Sequence, residues 1–410
     1  MFKGPKSPTI FYGWFVVAAS FGLTLTLGEI FWSFGVFFKP LASEFPSWSR
    51  ALISSGYTAL QIGYAISVFV AGRLADRYNP RPILLVSALL AGLGISLCSQ
   101  IHSIDQLRFS LFVAGMGSGA MYSVPTSTVQ RWFHEKHRAG LALSIVIAGA
   151  GVGALIFTPL INHWILSYGW RNAYLILGIL LFCISGISSL VIKRSPMDTT
   201  TISQGKESIS KSASTQVWRT GEMVTTTSFW GITFILCVGS LAFSALSVHL
   251  VPYATDLGFS PTASARALGL LGGISVLGRI AAGPVMDKID WRRTLALSLF
   301  GMALTMVWLL FLKEAWMLLG FIFLYAIPYG MQLPARVGIL GHFFGMHSLG
   351  ELIGITAAIS QVVGALAPYM AGFIFDTTGS YFIAFIIVIA FLFSAAFVAT
   401  RMKEPSITSK

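Results

Sequence analysis

Apolar stretches about 20 residues long recur through the whole chain, from Tyr12 to Ala399. A helix rises 1.5 Å per residue, so roughly 20 apolar residues can cross the ~30 Å hydrocarbon core of a bilayer. Hydrophobic residues make up 55% of the sequence and charged residues only 10%, whereas a soluble domain carries about 25% charged residues. Most of the exterior must therefore face lipid, and the sequence predicts a polytopic helical membrane protein.

The apolar pattern predicts twelve membrane-spanning helices, six on each side of a polar stretch. The predicted segments are Tyr12–Phe38, Ala51–Gly72, Pro82–Ser99, Leu107–Val129, Gly140–Ile161, Ala173–Ile192, Phe229–Ala254, Ala263–Val285, Thr294–Leu312, Trp316–Pro334, Leu352–Phe375 and Tyr381–Ala399. The stretch 193–227 is rich in Ser, Thr and Lys and has too few apolar residues to bury a core. It is interpreted as a flexible cytoplasmic linker.

Basic residues are distributed unevenly between the two ends of the predicted spans. With an even number of spans both termini lie on one side, and that side holds 20 of the 27 Lys and Arg against six on the other. The positive-inside rule then places both termini in the cytoplasm. Scattered basic residues facing anionic lipid also account for the net charge of +12, so no nucleic-acid partner is predicted.

The two halves of the sequence repeat each other. The segment GRLADR at 72–77 returns as GPVMDK at 283–288, and Gly-Ala-Leu at 153–155 returns at 364–366, both 211 positions later. Matching blocks at one offset indicate a duplicated six-helix unit. The predicted fold is therefore an all-α membrane protein with two pseudo-symmetric bundles, 1–192 and 228–410, and a substrate site between them near the bilayer midplane.

The repeated block resembles the signature of the major facilitator superfamily, in which a Gly, three residues, an Asp and then basic residues follow one another. Its positions in this chain are Gly72, Asp76, Arg77 and Arg81 in the first half and Gly283, Asp287, Lys288 and Arg292 in the second. The resemblance implies a cytoplasmic gate, in which the Asp caps a neighbouring helix and pairs with loop basic residues. It also implies alternating access by rocking of the two halves.

Three further stretches and one arginine narrow the resemblance. FYGWFVV at 11–17, SFGVFFKPL at 33–41, RWFHEKHRAGLALSIVIAGAGVG at 131–153 and the lone Arg279 of the eighth span are similar to monocarboxylate transporters and the related oxalate/formate antiporters. This likeness implies secondary active transport of a small organic carboxylate, coupled to protons. It also implies residence in the inner (cytoplasmic) membrane.

Arg279 is the first candidate for substrate binding. An ionisable residue within a span is costly and usually faces the bundle interior. At helical spacing Arg279 shares a small and polar face with Gly272, Ser275 and Gly283. A guanidinium is permanently charged and its forked donors fit a carboxylate. We expect Arg279 to bind the substrate carboxylate; the alternative is that it reaches the cytoplasmic surface near Asp287.

Glu29, His249 and Asp256 are the candidates for proton coupling. Glu29 lies well inside the first span, and a carboxyl in such surroundings can carry a proton near neutral pH; a helix–helix hydrogen bond explains it equally well. His249 has an imidazole suited to proton traffic or to a substrate hydrogen bond. Asp256 is expected at the external mouth. In monocarboxylate transporters an acid often precedes the arginine of the eighth span by one turn, and here Ser275 occupies that place.

Four more polar side chains in spans are predicted to line the path, although helix packing is an alternative for each. They are Tyr122, Tyr329, Ser360 and Gln361.

The number of buried cations bears on the substrate. Oxalate-type antiporters use a second cation in the eleventh span, and no Lys or Arg lies between Leu352 and Phe375. One cation balances one carboxylate, and a second unpaired buried anion would be expensive. A monocarboxylate of the lactate, pyruvate or acetate type is favoured, and an oxalate/formate-type exchanger is the alternative.

Other classes of function find little support in the sequence. No span pairs a nucleophile with His and an acid, no metal-ligand spacing is present, and there is no GxxxxGK[ST] loop. An enzyme, a metal site and a cofactor are therefore not predicted. A non-transporting membrane sensor remains the alternative from another class. The expected partners are a small organic anion, protons and membrane lipid, and the chain is expected to be a monomer.

Overall fold

The computed structural model describes residues 11–133, 139–193, 220–344 and 349–404. Within these ranges the chain is almost entirely helical. The helices are α1 (Gly13–Glu44), α2 (Arg50–Arg77), α3 (Pro80–Leu97), α4 (Ile104–Ser118), α5 (Ala120–Phe133), α6 (Ala139–Val191), α7 (Thr220–Met223), α8 (Thr227–Asp256), α9 (Pro261–Ile289), α10 (Trp291–Leu309), α11 (Ala315–Phe344), α12 (Leu349–Thr378) and α13 (Phe382–Arg401).

Nine helical stretches in the described part of the chain are long and apolar enough to cross a membrane. One of them, Leu141–Val191, turns back at Gly169, whose φ of 80° breaks the helical backbone, and so crosses twice. The consecutive helices α4 and α5 form one further crossing and α10 another. Together these give twelve crossings, so the predicted fold class is confirmed.

Side-chain caps fix where the helices begin at the membrane surfaces. Ser49 accepts a hydrogen bond from the Leu52 amide at the start of α2. Ser103 and Gln106 form a reciprocal capping box at the start of α4. Each cap satisfies backbone donors that have no partner inside the helix and that lipid could not satisfy.

Helix α11 is longer than the sequence predicted. The expected segment Trp316–Pro334 ended at its second proline, but the helix continues through Pro328 and Pro334 to Phe344. Prolines are tolerated in membrane helices because neighbouring groups satisfy the freed carbonyls. The extension brings Arg336, which lies just beyond the predicted end of this span, into the helical part of the chain.

Two sets of helices pack internally and then against each other. We call described residues 11–193 the N-half and 220–404 the C-half; the exact domain limits stay a prediction, and most of the predicted linker lies outside the described residues. The halves meet where α1 packs on α8, α2 on α12, and the first part of α6 on α9. Gly35 in α1 lies directly against the Ser247 carbonyl, where a side chain would push the halves apart.

Candidate functional site

The molecule has two ends with different contacts between the halves. We call the end that holds Lys39, Arg50, Asp256 and Asp376 the closed end, and the opposite one, where α1 begins and α13 finishes, the termini end. Because a helix rises by a fixed amount per residue, the position of a side chain along its helix gives its distance from the closed end. Arg279, for example, lies 18 residues into α9, about 27 Å from the closed end.

Two arginines come together in the deeper part of the structure. Arg279 on α9 and Arg336 on α11 lie close enough to each other, and to Tyr122 and Tyr329, for electrostatic interaction. Both arginines are partly exposed. Neither forms an ion pair with an Asp or Glu among the residues that the structure describes. We call Arg279 and Arg336 the arginine pair.

Arg279 is held by a bond between the halves. Its Nη1 donates a hydrogen bond of 2.7 Å to the backbone carbonyl of Ile147 in α6, while its buried Nε has no partner among the described residues. Gly330 of α11 packs directly on the backbone of Ser275 and Arg279, which sets α9 and α11 at close distance. The prediction that Arg279 faces the interior between the halves, instead of reaching the surface, agrees with this geometry.

Aromatic rings lie beside the arginine pair. Tyr329 stacks on Phe243 with ring centroids 5.5 Å apart and 8° between the planes. Trp32 of the N-half meets both rings edge-on, at 5.1 Å and 6.2 Å, and Tyr325 stacks on the other side of Tyr329. Since Tyr329 precedes Arg336 by two turns, this aromatic cluster lies on the closed-end side of the arginine pair. An organic anion fits such a combination of cations and apolar faces.

Tyr122 and Tyr329 are therefore brought together with Arg279, as the sequence predicted. The hydroxyphenyl of Tyr122 is 40% exposed, so it borders the open space between the helices, whereas Tyr329 is buried. Sequence reasoning missed Arg336, Trp32 and Phe243. The signal for Arg336 was present, since an arginine two residues after a proline can still belong to a membrane helix.

Asp256 is the centre of the closed end. Its carboxylate pairs with Lys39 of α1 and, at 2.6 Å, with Nη1 of Arg50 at the start of α2. Arg50 also lies over the ring of Phe375, 3.6 Å from its centroid. All these contacts join one half to the other. Asp256 lies at the end of the molecule opposite the termini. That this end faces outward, and that Asp256 takes part in proton coupling, stay predictions.

Asp376 caps a helix of the opposite half. Its two carboxylate oxygens accept hydrogen bonds from the backbone N–H groups of Arg50 and Ala51, at 2.9 and 2.8 Å, at the N-terminus of α2. A carboxylate at a helix N-terminus is favoured by the orphan donors and by the helix dipole. The α2 helix thus has one cap from its own half, Ser49, and one from the other.

His249 belongs to the closed end and is not near the arginine pair. It lies seven residues from the end of α8, so it is roughly 17 Å closer to the closed end than Arg279 is. Its Nδ1 meets the Tyr381 hydroxyl at 2.9 Å, and its Nε2 meets the Pro368 carbonyl at 2.8 Å and the Ser54 hydroxyl at 3.3 Å. The structure thus separates His249 from the predicted substrate site.

Glu29 lies inside the N-half. Residues on its stripe of α1 face other helices of that half, with Gly22 against Ser188 and Thr26 against Met121. Both carboxylate oxygens are buried, and among the described residues neither has a hydrogen-bond partner on another helix; the Ser33 hydroxyl of the same helix is nearby. The predicted helix–helix hydrogen bond is therefore not seen, and the role in proton coupling stays a prediction.

Ser360 and Gln361 contribute to packing within the C-half. The Ser360 hydroxyl donates to the Ala357 carbonyl of its own helix. The Gln361 carbonyl oxygen accepts a 3.1 Å hydrogen bond from Ser240 of α8. Helix packing, the alternative explanation for both residues, accounts for these contacts.

The gate-motif residues lie at the termini end, at the α2–α3 and α9–α10 turns. Arg81 donates to the Ile192 carbonyl, and Arg292 donates to Asp290 and to the Met402 carbonyl. Each of these bonds stays within one half. The positions Gly72, Gly283 and Lys288 are described, whereas the side chains of Asp76, Arg77 and Asp287 lie outside the described part. The implied gate contacts stay a prediction.

Comparison with models of protein families identifies the family of this chain. The family model of the Major Facilitator Superfamily matches residues 9–315 and 275–410. The chain belongs to this superfamily.

The relatives of this major facilitator protein include named carriers. It is 25% identical to monocarboxylate transporter 13 of Rattus norvegicus, over 94% of this chain and 87% of the relative. It is 24% identical to monocarboxylate transporter 11 of Homo sapiens, over 94% and 82%. The uncharacterized MFS-type transporter YcxA of Bacillus subtilis is 26% identical, over 92% of each chain.

Solved structures share the fold. The D-xylose-proton symporter superposes with a TM-score of 0.78 over 96% of this chain and 98% of that chain, at 14% identity. A bacterial homolog of the human lysosomal transporter Spinster, in an inward-facing and occupied conformation, superposes with a TM-score of 0.73 over 97% of both chains, at 15% identity. The protein is thus an integral membrane protein of the transporter superfamily, and its fold is that of these carriers.

Proposed function

We propose that this chain is a secondary active transporter of a small organic carboxylate, and that Arg279 binds the carboxylate group. The observation that carries the proposal is the placement of Arg279. It lies between the halves and beside the aromatic cluster, and it has no acidic partner among the described residues. A guanidinium without an acidic partner among the described residues is suited to an anion from outside. The names of the relatives agree with a carboxylate substrate.

Monocarboxylates of the lactate, pyruvate and acetate type are the reference substrates for this proposal. The aromatic cluster offers apolar faces to a short carbon chain, while Arg279 supplies the charge. The substrate crosses the membrane by alternating access, and the transporter acts as a monomer. The protein lies in the inner membrane with both termini in the cytoplasm.

Glu29 is our candidate for the proton. A buried carboxyl without a hydrogen-bond partner on another described helix is more stable neutral than charged, so it can bind and release a proton as its surroundings change. Its position inside the N-half means that it would act through the packing of α1 and not by touching the substrate. Asp256 and His249, at the closed end, are less suited to this task because they bond to other groups there.

Uptake into proteoliposomes tests the function. Wild-type protein is expected to accumulate labelled lactate, pyruvate or acetate, and accumulation should rise with an inward proton gradient. Arg279→Ala should remove at least about 90% of the uptake, and Arg279→Lys should recover part of it because the charge remains but the forked donors do not. Arg401→Gln, which alters an exposed arginine at the end of α13, is the matched control. Unchanged uptake in Arg279→Ala would remove the assignment of this residue.

Two further measurements separate the remaining alternatives. Counterflow of labelled lactate against labelled oxalate distinguishes a monocarboxylate carrier from an oxalate/formate-type exchanger. Glu29→Gln should abolish the response to the proton gradient while it leaves exchange at equal pH intact. Absence of flux for every organic anion would favour the non-transporting sensor and would contradict the proposal.

A further inference from the structure

The second arginine of the arginine pair changes the expected charge of the substrate. The sequence suggested one cation in the interior, because the tenth span was expected to end at Pro334. In the structure α11 continues for ten residues beyond Pro334, and Arg336 lies in the same electrostatic surroundings as Arg279, Tyr122 and Tyr329.

Arg336 is far from the end of its helix. Eight residues separate it from Phe344, a rise of about 12 Å, so it lies well inside α11. On the same helix Tyr329 stands two turns earlier, on the face that carries the aromatic cluster. This places Arg336 beside the proposed carboxylate site and on its termini-end side.

The local charges do not cancel within the described part of the chain. Arginine stays protonated under all ordinary conditions, and two guanidiniums at close range repel each other. No hydrogen bond or ion pair to an acid is formed by Arg336 with any residue that the structure describes. Both side chains are partly exposed in the present conformation. When the halves close around a substrate and bury the two charges, the charges need counter-charges.

We propose that Arg336 is a second substrate-binding residue and that the preferred substrate is a short dianion, with one carboxylate on Arg279 and a second anionic group on Arg336. This inference rests on the proposed function and makes its substrate class more specific. It differs from the expectation of a single carboxylate, because the described interior brings two arginines together, Arg279 and Arg336. The second cation, Arg336, comes from the tenth span, and not from the eleventh span as in oxalate-type antiporters.

Binding of chain-length-matched acids to the purified full-length protein tests the inference. The probes are propionate against malonate, and butyrate against succinate, measured by calorimetry near pH 7.5. Wild-type protein should bind each dianion about 10-fold or more tightly than its matched monoanion, the effect of one charge-assisted hydrogen bond.

Arg336→Gln should lower malonate and succinate affinity about 10-fold and leave propionate and butyrate affinity within about 3-fold. Retained propionate binding shows that the variant is folded. Arg336→Lys keeps the charge and should fall between the two. Arg401→Gln, on the exposed end of α13, should bind all four acids like the wild type.

Three results would overturn the inference. Equal affinity of wild-type protein for malonate and propionate would show that the protein does not recognise the second carboxylate of malonate. Equal weakening of both acids by Arg336→Gln would mean that both arginines hold one carboxylate, or that Arg336 acts in closing the termini end. Failure of every carboxylate to bind would remove the proposed function as well, so the two failures are distinguishable.

Discussion

The closed end and the termini end differ in how the halves are joined. At the closed end, Lys39, Arg50 and Asp376 bond to residues of the other half, and further hydrogen bonds such as Gln61 to Ser244 continue towards the middle. At the termini end, every hydrogen bond between two described residues stays within one half, as in Arg81 to Ile192. The deepest bond between described residues of the two halves is that of Arg279 to Ile147.

This difference bears on which end is shut. Polar contacts between the halves are lost when the halves separate, so the end that carries them is shut in this conformation, and we expect solvent to enter from the other end. The arginine pair, which lies nearer to the termini end, is then reached from that side. If the termini are cytoplasmic, the conformation is open to the cytoplasm.

Cysteine accessibility should show the largest contrast between the two ends. In a variant without Cys98, Cys183 and Cys237, Tyr122→Cys should react with a membrane-impermeant maleimide from the termini side on the order of 10-fold faster than Ser54→Cys reacts from either side. Tyr122 is 40% exposed, whereas Ser54 is fully buried.

Exposed positions at the two ends calibrate this labelling. Glu404→Cys at the termini end and His102→Cys at the closed end report which face of the vesicle each reagent reaches. Faster labelling of Ser54→Cys than of Tyr122→Cys would contradict this comparison, because it would mean that the termini end is the shut one.

Asp256→Asn should open the closed end. The change leaves Lys39 and Arg50 next to each other without their shared anion. Loss of a partly exposed charge network is worth about 1–2 kcal/mol, so labelling of Ser54→Cys should accelerate roughly 5- to 30-fold. The matched control is Asp105→Asn, which breaks the Arg108 pair inside the N-half and should leave labelling unchanged. A lack of acceleration would show that the charges do not hold this end.

Asp376→Asn should have a smaller effect of the same direction. It removes the negative charge that caps α2, worth about 1 kcal/mol, so labelling should rise about 5-fold. Ser49→Ala removes the cap that α2 receives from its own half. It should lower the melting temperature similarly but leave labelling unchanged. Equal labelling in the two variants would mean that α2 stability, and not the tie between halves, sets the rate.

Tyr381→Phe should give the smallest change. The hydroxyl accepts from Arg50 at 2.8 Å and meets His249 Nδ1 at 2.9 Å, and we expect its loss to cost about 0.5 kcal/mol, the lower end for a hydrogen bond. Labelling of Ser54→Cys should then rise only about 2-fold. Tyr369→Phe, at a lipid-exposed ring of α12, is the control. An effect larger than that of Asp256→Asn would place the hydroxyl, and not the ion pairs, at the centre of the closed end.

The twelve crossings were predictable because the length of an apolar stretch and the bilayer thickness together determine them. Arg279 was predictable because a charge in a span is rare. The contacts of the closed end were not predictable, because Arg50 and Asp376 are 326 positions apart and no local pattern pairs them. Arg336 was missed for a local reason: Pro334 looks like the end of a helix, and only the packing of α11 against α9 shows that it is not.

In this conformation a group of the carrier itself, the Ile147 carbonyl, occupies the Nη1 donor of Arg279. A carboxylate that takes the Nη1 donor of Arg279 must displace this carbonyl, which belongs to the opposite half. Part of the binding free energy is therefore used to release one half from the other, and affinity and mobility become linked quantities. A substrate that fails to displace the carbonyl would occupy the pocket without setting the halves in motion.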